Sequence, residues 1–246
     1  MQEPIEWRED GNPFSPRFND VYRSRANGLA QAQHVFLQGC GLPQAWRGHH
    51  QWVVLETGFG LGLNFLVTWA AWQLDEARSD ALHFVSVEAY PVQADDVLKS
   101  AQALVAQPQD EALLARVQQL APQLAQAWQN LQTGIQTWTF DQGRVQLTLG
   151  VGDARGMISR LPLHADAVYL DGFSPARNPE IWNFDTLQAV AHRCKPCTRL
   201  ASYTVAAQVM RDLTALGFDV QKRPGLPPKW GRIEAVFGKS AQTKPS

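Results

Sequence analysis

Short apolar runs alternate along this chain with stretches of helical periodicity, and that alternation is the first thing the sequence says about its fold. Val53-Val54-Leu55 is a continuous apolar run of the kind a strand covered on both faces needs. Gly58, Gly60 and Gly62 follow at alternate positions, and then Leu63, Leu66, Val67, Ala70, Ala71 and Leu74 recur at helical spacing, predicting a helix to about Leu74. The unit is a strand, a glycine turn and a helix. Leu82 to Val87 predicts a second core strand ending at Glu88, and Ala165 to Leu170 another that runs into Asp171.

Between these, Pro91 to Leu104 and Asp110 to Leu131 read as helices, the second with a stripe of Leu113, Val117, Leu120, Leu124, Trp128 and Leu131. This Ala/Gln-rich piece, about 91–133, reads as an insertion able to cap the crevice. Ile135 to Phe140 and Arg144 to Val151 alternate with period two around Asp141-Gln142-Gly143, a hairpin signal. A short helix is expected after Gly152-Asp153, then helices over Phe184 to His192 and Ala206 to Leu216, with strands at Leu200 to Tyr203, Phe218 to Gln221 and Ile233 to Phe237. Residues 1–20 read as an irregular arm with turns at Asn12-Pro13 and Ser15-Pro16. Val21-Tyr22 and Val35-Phe36 predict short strands, or a strand and a helix. The expected organisation is a leader, 1–50, packed on a domain spanning 51–240.

Strands alternating with helices define an α/β fold with a mostly parallel sheet. At 246 residues, with 45% hydrophobic and 18% charged residues, the chain has room for one large domain of ordinary globular composition. No apolar run reaches membrane-spanning length, so no membrane association is expected. The N-terminus Met1-Gln-Glu-Pro-Ile-Glu-Trp lacks the basic start and apolar core of a secretory signal, which makes a cytoplasmic location the expectation. Cys194-Lys-Pro-Cys197 has no second pair to complete a zinc site and reads as a Pro-containing turn, so no metal is expected. A net charge of −1 favours no polyanion, but Arg193 to Arg232 holds eight basic residues against two acidic ones. That local excess can meet phosphates if the fold gathers it on one face.

The chemistry sits at the strand ends. The glycines lie in G-x-G-x-G rather than the G-x-G-x-x-G of dinucleotide sites, with Glu56 two residues ahead of Gly58. E-x-G-x-G-x-G resembles motif I of the class I S-adenosylmethionine-dependent methyltransferases. A carboxylate near the turn suits the ammonium of a methionine moiety and would repel a pyrophosphate. Glu88 stands where doubly wound sheets present an acid to ribose hydroxyls. Asp153 either accepts from an exocyclic amine or caps the following helix. Asp171-Gly-Phe-Ser-Pro-Ala-Arg-Asn-Pro-Glu-Ile-Trp182 reads as a stiff loop over the crevice, its Asp an acceptor for a substrate amine and Phe173 and Trp182 surfaces for a base.

The strings D-V-Y (20–22), V-F-L-x-G (35–39), E-T-G-F-G-L-G-L-N-F-L (56–66), V-E-A-Y-P (87–91), G-D-A (152–154) and L-D-G-F-S-P-A-R-N-P-E-I-W (170–182) together resemble the methyltransferase domain of the MnmC-type tRNA modification enzymes. The resemblance implies a Rossmann-like class I methyltransferase with a mostly parallel seven-stranded sheet, helices on both faces, an N-terminal leader and inserted helices. It implies transfer of a methyl group from S-adenosylmethionine to the amine of 5-aminomethyl(-2-thio)uridine at the wobble position of tRNA. In bifunctional relatives an FAD-dependent oxidase domain exposes that amine. No such domain is read here, so a stand-alone enzyme without FAD, meeting the tRNA anticodon region and needing no obligate protein partner, is expected.

On that resemblance, Asp171 and Phe173 are the catalytic candidates. Glu56, Gly58, Phe59, Gly60, Gly62, Asn64, Glu88, Asp153 and Ala154 would hold the cofactor. Arg177, Trp182, Lys222, Arg223, Lys229 and Arg232 would contact tRNA. The competing readings are a nicotinamide-dependent oxidoreductase using the same turn and Glu88, a non-catalytic nucleotide-binding module, and an aminopropyltransferase.

Overall fold

The apolar runs pair edge to edge because each is too hydrophobic on both faces to lie anywhere but between two layers of helix. The computed structural model of the protein describes residues 3–23, 28–107, 110–226 and 231–238. Three short N-terminal strands, β1 (Glu6–Trp7), β2 (Pro13–Ser15) and β3 (Asp20–Val21), form a small antiparallel sheet of their own. The main sheet consists of β4 (Gln51–Thr57), β5 (Ala81–Glu88), β6 (Gly134–Phe140), β7 (Val145–Val151), β8 (Ala165–Leu170), β9 (Cys194–Ser202), β10 (Phe218–Pro224) and β11 (Gly231–Phe237).

Its order is β10-β11-β9-β8-β4-β5-β7-β6. The strand β4 pairs in parallel with β5 on one side and β8 on the other, so the chain winds outward first through β5 and β7 and later through β8 and β9. The reversal puts a crevice at the carboxyl ends of β4 and β8. Among the described residues this sheet has eight strands, as the apolar runs predict and one beyond the seven that the family resemblance implies. The addition is β6, hydrogen-bonded antiparallel to β7, whose residues alternate half-buried and exposed as an edge strand covered on one face should.

The helices are α1 (Gly28–Gln31), α2 (Leu63–Leu74), α3 (Ala94–Gln102), α4 (Glu111–Trp128), α5 (Ala154–Arg160), α6 (Phe184–Ala191) and α7 (Ala207–Ala215). Of the two readings of Val21-Tyr22 and Val35-Phe36, a strand and a helix is the one the structure has: Val21 ends β3, and α1 runs on into a π-helical segment, Ala32–Leu37, whose Phe36 ring packs 5.3 Å from Tyr169 of β8. The Cys194-to-Cys197 stretch is not a turn ahead of a strand. It is the irregular start of β9 itself, where the pairing with β8 slips between Ala165 and Ala167 and Cys197 takes φ +69°.

The helical pair α3 and α4 does not cap the crevice. The buried stripe of α4, Leu113, Val117, Leu120, Leu124 and Trp128, packs on α2 and α3 at the flank, and from the pair only Ser100 reaches the crevice among the described residues. Trp128 fastens this layer to the glycine turn. Its ring stacks on Phe59 at 4.9 Å, and its Nε1 donates to the Val92 carbonyl at 2.9 Å. Trp128→Ala removes both the stack and a fully buried ring, so urea unfolding should show a loss of about 3–5 kcal/mol.

Candidate active site

Four strand ends meet around a cavity of about 540 Å³, a volume in the range of small-molecule sites. The first end is Gly58, at φ +73°. A Cβ there would lie 3.0 Å from Gly172 Cα and 3.1 Å from the Asp171 carbonyl oxygen, so the glycine lets the turn after β4 lie backbone to backbone on the loop after β8. Thr57 locks the two ends together: its Oγ1 donates to the Asp171 carbonyl at 2.7 Å and accepts from the Asp171 N–H at 3.0 Å.

Glu88, at the end of β5, fixes the other side of the turn. One carboxylate oxygen accepts the Gly60 N–H and the other the Tyr90 N–H, each at 2.9 Å, while Gly58 and Phe59 both donate to the Val87 carbonyl. Burial pushes the Glu88 carboxyl up, and these N–H groups oppose that shift. Asp153, at the end of β7, accepts from the Gly156 N–H at 2.8 Å and so caps α5, and it also lines the cavity.

Asp171 closes the ring of strand ends. Its Oδ1 accepts from the Gly172 N–H at 2.9 Å and its Oδ2 from Asn64 Nδ2 at 2.8 Å. The loop it opens is internally tied: Trp182 Nε1 donates to the Phe173 carbonyl at 2.6 Å and Tyr203 Oη to the Gly172 carbonyl at 2.6 Å. The N-terminal arm clamps the same loop. Asp20 accepts from the Ser174 N–H and hydroxyl, and the Phe173 ring is stacked on Phe18 at 4.6 Å and met edge-on by Tyr22 at 4.8 Å.

Of the residues expected at a cofactor site, Gly58, Phe59, Gly60, Asn64, Glu88, Asp153 and Ala154 line the cavity, together with Asp171, Phe173 and Arg177. Glu56 and Gly62 do not. The Glu56 carboxylate is 1% exposed, with Asn64 Nδ2 on Oε1 at 2.9 Å and Ser86 Oγ on Oε2 at 2.7 Å, so it lies beneath the floor rather than at the ligand surface. Gly62 ends the turn with φ +73°, where a Cβ would strike Leu124 and Phe59.

The basic and aromatic candidates scatter. Trp182 is buried at 3% exposure beneath the loop, so its face is not offered to a base. Arg232 is consumed inside the fold, donating to Glu234 and to the His34 carbonyl. Lys222 and Arg223 are exposed on β10, at the same carboxyl edge of the sheet as the cavity but about 19 Å from β4 at the usual strand spacing. Lys229 lies outside the described residues.

Reasoning from the sequence missed the arm as part of the site: Arg17, Phe18, Tyr22 and Arg23 all line the cavity. Arg17 is paired with Glu3 at 2.7 Å and lies over the Tyr90 ring, and burial with the Glu88 charge holds the Tyr22 hydroxyl well above its ordinary range. The density of aromatic and basic residues in R-F-N-D-V-Y-R (17–23) was the available signal. Among the described residues no group of three or more His, Cys, Asp or Glu could hold a metal ion, and no helix is long and apolar enough to cross a membrane.

A parallel sheet reversing at β4, a glycine turn on the first strand, an acid ending the second and an antiparallel closing hairpin define the architecture of the class I methyltransferases. A family model described as S-adenosyl-L-methionine-dependent methyltransferase matches residues 115–237, half of the chain, and the chain belongs to that family. Similar curated relatives are the tRNA 5-methylaminomethyl-2-thiouridine biosynthesis bifunctional proteins MnmC of Acidovorax sp. (strain JS42), 53% identical over 96% of this chain and 36% of the relative, and of Paracidovorax citrulli (strain AAC00-1), 51% identical over 100% and 37%. The chain thus spans little more than a third of the length of these relatives. Among solved structures, MNMC2 from Aquifex aeolicus shares the fold with a TM-score of 0.73 at 21% identity, over 100% of this chain and 73% of that one.

The buried acid yields a prediction. Burial and the charge of Asp171 push Glu56 well above its ordinary value of 4.5, so the folded state keeps a proton that the unfolded chain releases above that pH. Its contribution to stability is therefore whole below about pH 4.5 and drains away as pH rises through the folded value. Glu56→Gln cannot titrate. Thermal melts at about pH 5 and about pH 8 should show the variant gaining on the parent at the higher pH.

Proposed function

We propose that this chain transfers the methyl group of S-adenosylmethionine to the primary amine of 5-aminomethyl(-2-thio)uridine at the wobble position of tRNA, giving the 5-methylaminomethyl form. The observation that carries the reading is the placement of the Asp171 carboxylate on the cavity wall, its backbone locked by Thr57 against the start of the glycine turn. The names of the MnmC relatives supply the substrate class.

The residues present fit the cofactor. Gly58 and Gly60 leave the turn bare of side chains beside the cavity, with a Cβ on Gly60 reaching 3.4 Å from the Tyr22 ring. Glu88 retains acceptor capacity for a ribose diol, and Asp153 for an exocyclic adenine amine. S-adenosylmethionine supplies an electrophilic methyl on a sulfonium sulfur. Bound there, it would exchange its S–CH3 bond for an N–CH3 bond in line and leave as the thioether, so holding the two partners aligned would be the main demand on the protein. A primary amine with a lysine-like pKa of ~10.4 arrives largely protonated, and Asp171 orients it and takes up the departing proton. Phe173 places the uracil ring. The transfer is redox-neutral and asks for no flavin.

On this reading, residues 51–240 form the methyltransferase domain and the leader, 1–50, completes its cavity through Arg17, Phe18, Tyr22 and Arg23. Arg177 at the mouth, with Lys222 and Arg223 further along the same rim, is the basic surface offered to the anticodon region. The reaction belongs in the cytoplasm, with its tRNA. Incubation with labelled S-adenosylmethionine and tRNA bearing 5-aminomethyluridine, followed by nucleoside analysis, should place the label in 5-methylaminomethyluridine; label that stays off that nucleoside sinks the reading. Asp171→Ala should lower the rate by at least about 100-fold while calorimetry still detects S-adenosylhomocysteine.

A further inference from the structure

Asn64 lies two residues beyond the last glycine, in the first turn of α2, with its side chain 8% exposed as a residue. Its Nδ2 is within hydrogen-bond distance of two carboxyl groups from different strands: Glu56 Oε1 at 2.9 Å, within β4, and Asp171 Oδ2 at 2.8 Å, just past β8. An amide nitrogen carries two protons, and two acceptors use both. The opposite orientation of the amide would set its carbonyl oxygen against the Asp171 carboxylate, so the nitrogen faces the acids. Glu56 is anchored in turn by Ser86 on its other oxygen, at 2.7 Å.

We infer that Asn64 is a positioning residue for the methyl transfer: one N–H aims the Asp171 carboxylate at the acceptor amine, and the other, held by the buried Glu56, keeps the amide from turning. The inference rests on the methyltransferase reading and deepens it. It assigns the glutamate and asparagine of the E-x-G-x-G-x-G-x-N string to the acceptor half of the reaction rather than to the grip on the cofactor. Two things follow from the geometry. The donor capacity of the Asn64 nitrogen is spent on protein groups, leaving only Oδ1 for a ligand. And Asp171, whose Oδ1 is bound by its own loop at Gly172, has both oxygens directed by neighbours before substrate arrives. Preorganisation of this kind raises the rate of a bound pair without tightening its binding.

The test is a double-mutant cycle on the full chain, read in single turnovers with S-adenosylmethionine and aminomethyluridine-bearing tRNA. Asn64→Ala in the parent should slow the saturated rate by about 10- to 100-fold, the worth of one hydrogen bond to a charged group. The affinity for S-adenosylhomocysteine, measured by calorimetry, should stay within about threefold. In an Asp171→Ala background the same change should cost less than about threefold, because the group it aims is gone. Asn64→Leu, which keeps the shape and removes the donor, guards against simple collapse of the cavity and should be as slow as Asn64→Ala.

A tenfold or greater loss of S-adenosylhomocysteine affinity with the saturated rate intact would assign Asn64 to the cofactor and overturn the inference. An equal cost in both backgrounds, or full activity in Asn64→Leu, overturns it too. A parent chain that transfers no methyl to the aminomethyl nucleoside brings down the functional reading itself, and this inference with it, which separates that failure from the others.

Discussion

Backbone contact between two strand ends governs everything else in the cavity. The turn after β4 and the loop after β8 lie within van der Waals distance along Gly58 and Asp171-Gly172, and the Thr57 hydroxyl both gives to and takes from the Asp171 peptide. In a parallel sheet adjacent strands end side by side, but nothing in the ladder makes the segments beyond them touch. Here a missing Cβ permits the approach and a hydroxyl with donor and acceptor in one atom holds it. Each later contact uses that fixed point: Glu88 ties down the far side of the turn, Asn64 spans from the turn's helix to Asp171, and the arm closes over the loop.

The layered core was legible in the sequence because burial on both faces writes itself as continuous apolar runs. The ranges for α2, β5 and β8 differ from expectation by at most a residue or so, and the α4 stripe packs as its spacing foretold up to Trp128, where the helix ends and leaves Leu131 beyond it, half-buried. The acids at the ends of β5, β7 and β8 were legible for a related reason: an ionisable residue immediately after an apolar run has little else to do than face the crevice. Asp153 shows how far this goes: it caps α5 through the Gly156 N–H, the second of the two roles its position offered, and it also lines the cavity.

What stayed hidden depends on contacts between segments distant in the chain. That Glu56 sits under the floor is decided by Asn64 and Ser86, eight and thirty residues away. That Trp182 points inward follows from an acceptor at Phe173, within a loop of no periodicity, and Arg232 is spent on a carbonyl at His34. The arm was the largest omission. Two- and three-residue strands carry too few positions to show a period, so their docking on the Asp171 loop, through Asp20, Phe18 and Tyr22, has no local signature beyond composition.

The stack of Phe18 on Phe173 bears on how selective such a cavity can be. A planar ligand that comes to lie on that face of Phe173 displaces a ring of the protein's own, so what it gains is the difference between two stacks, not the full worth of one. An isolated nucleoside brings little to tip that exchange. A ligand long enough to touch the outer rim at the same time brings the surplus, and the cavity thereby discriminates by reach as much as by shape.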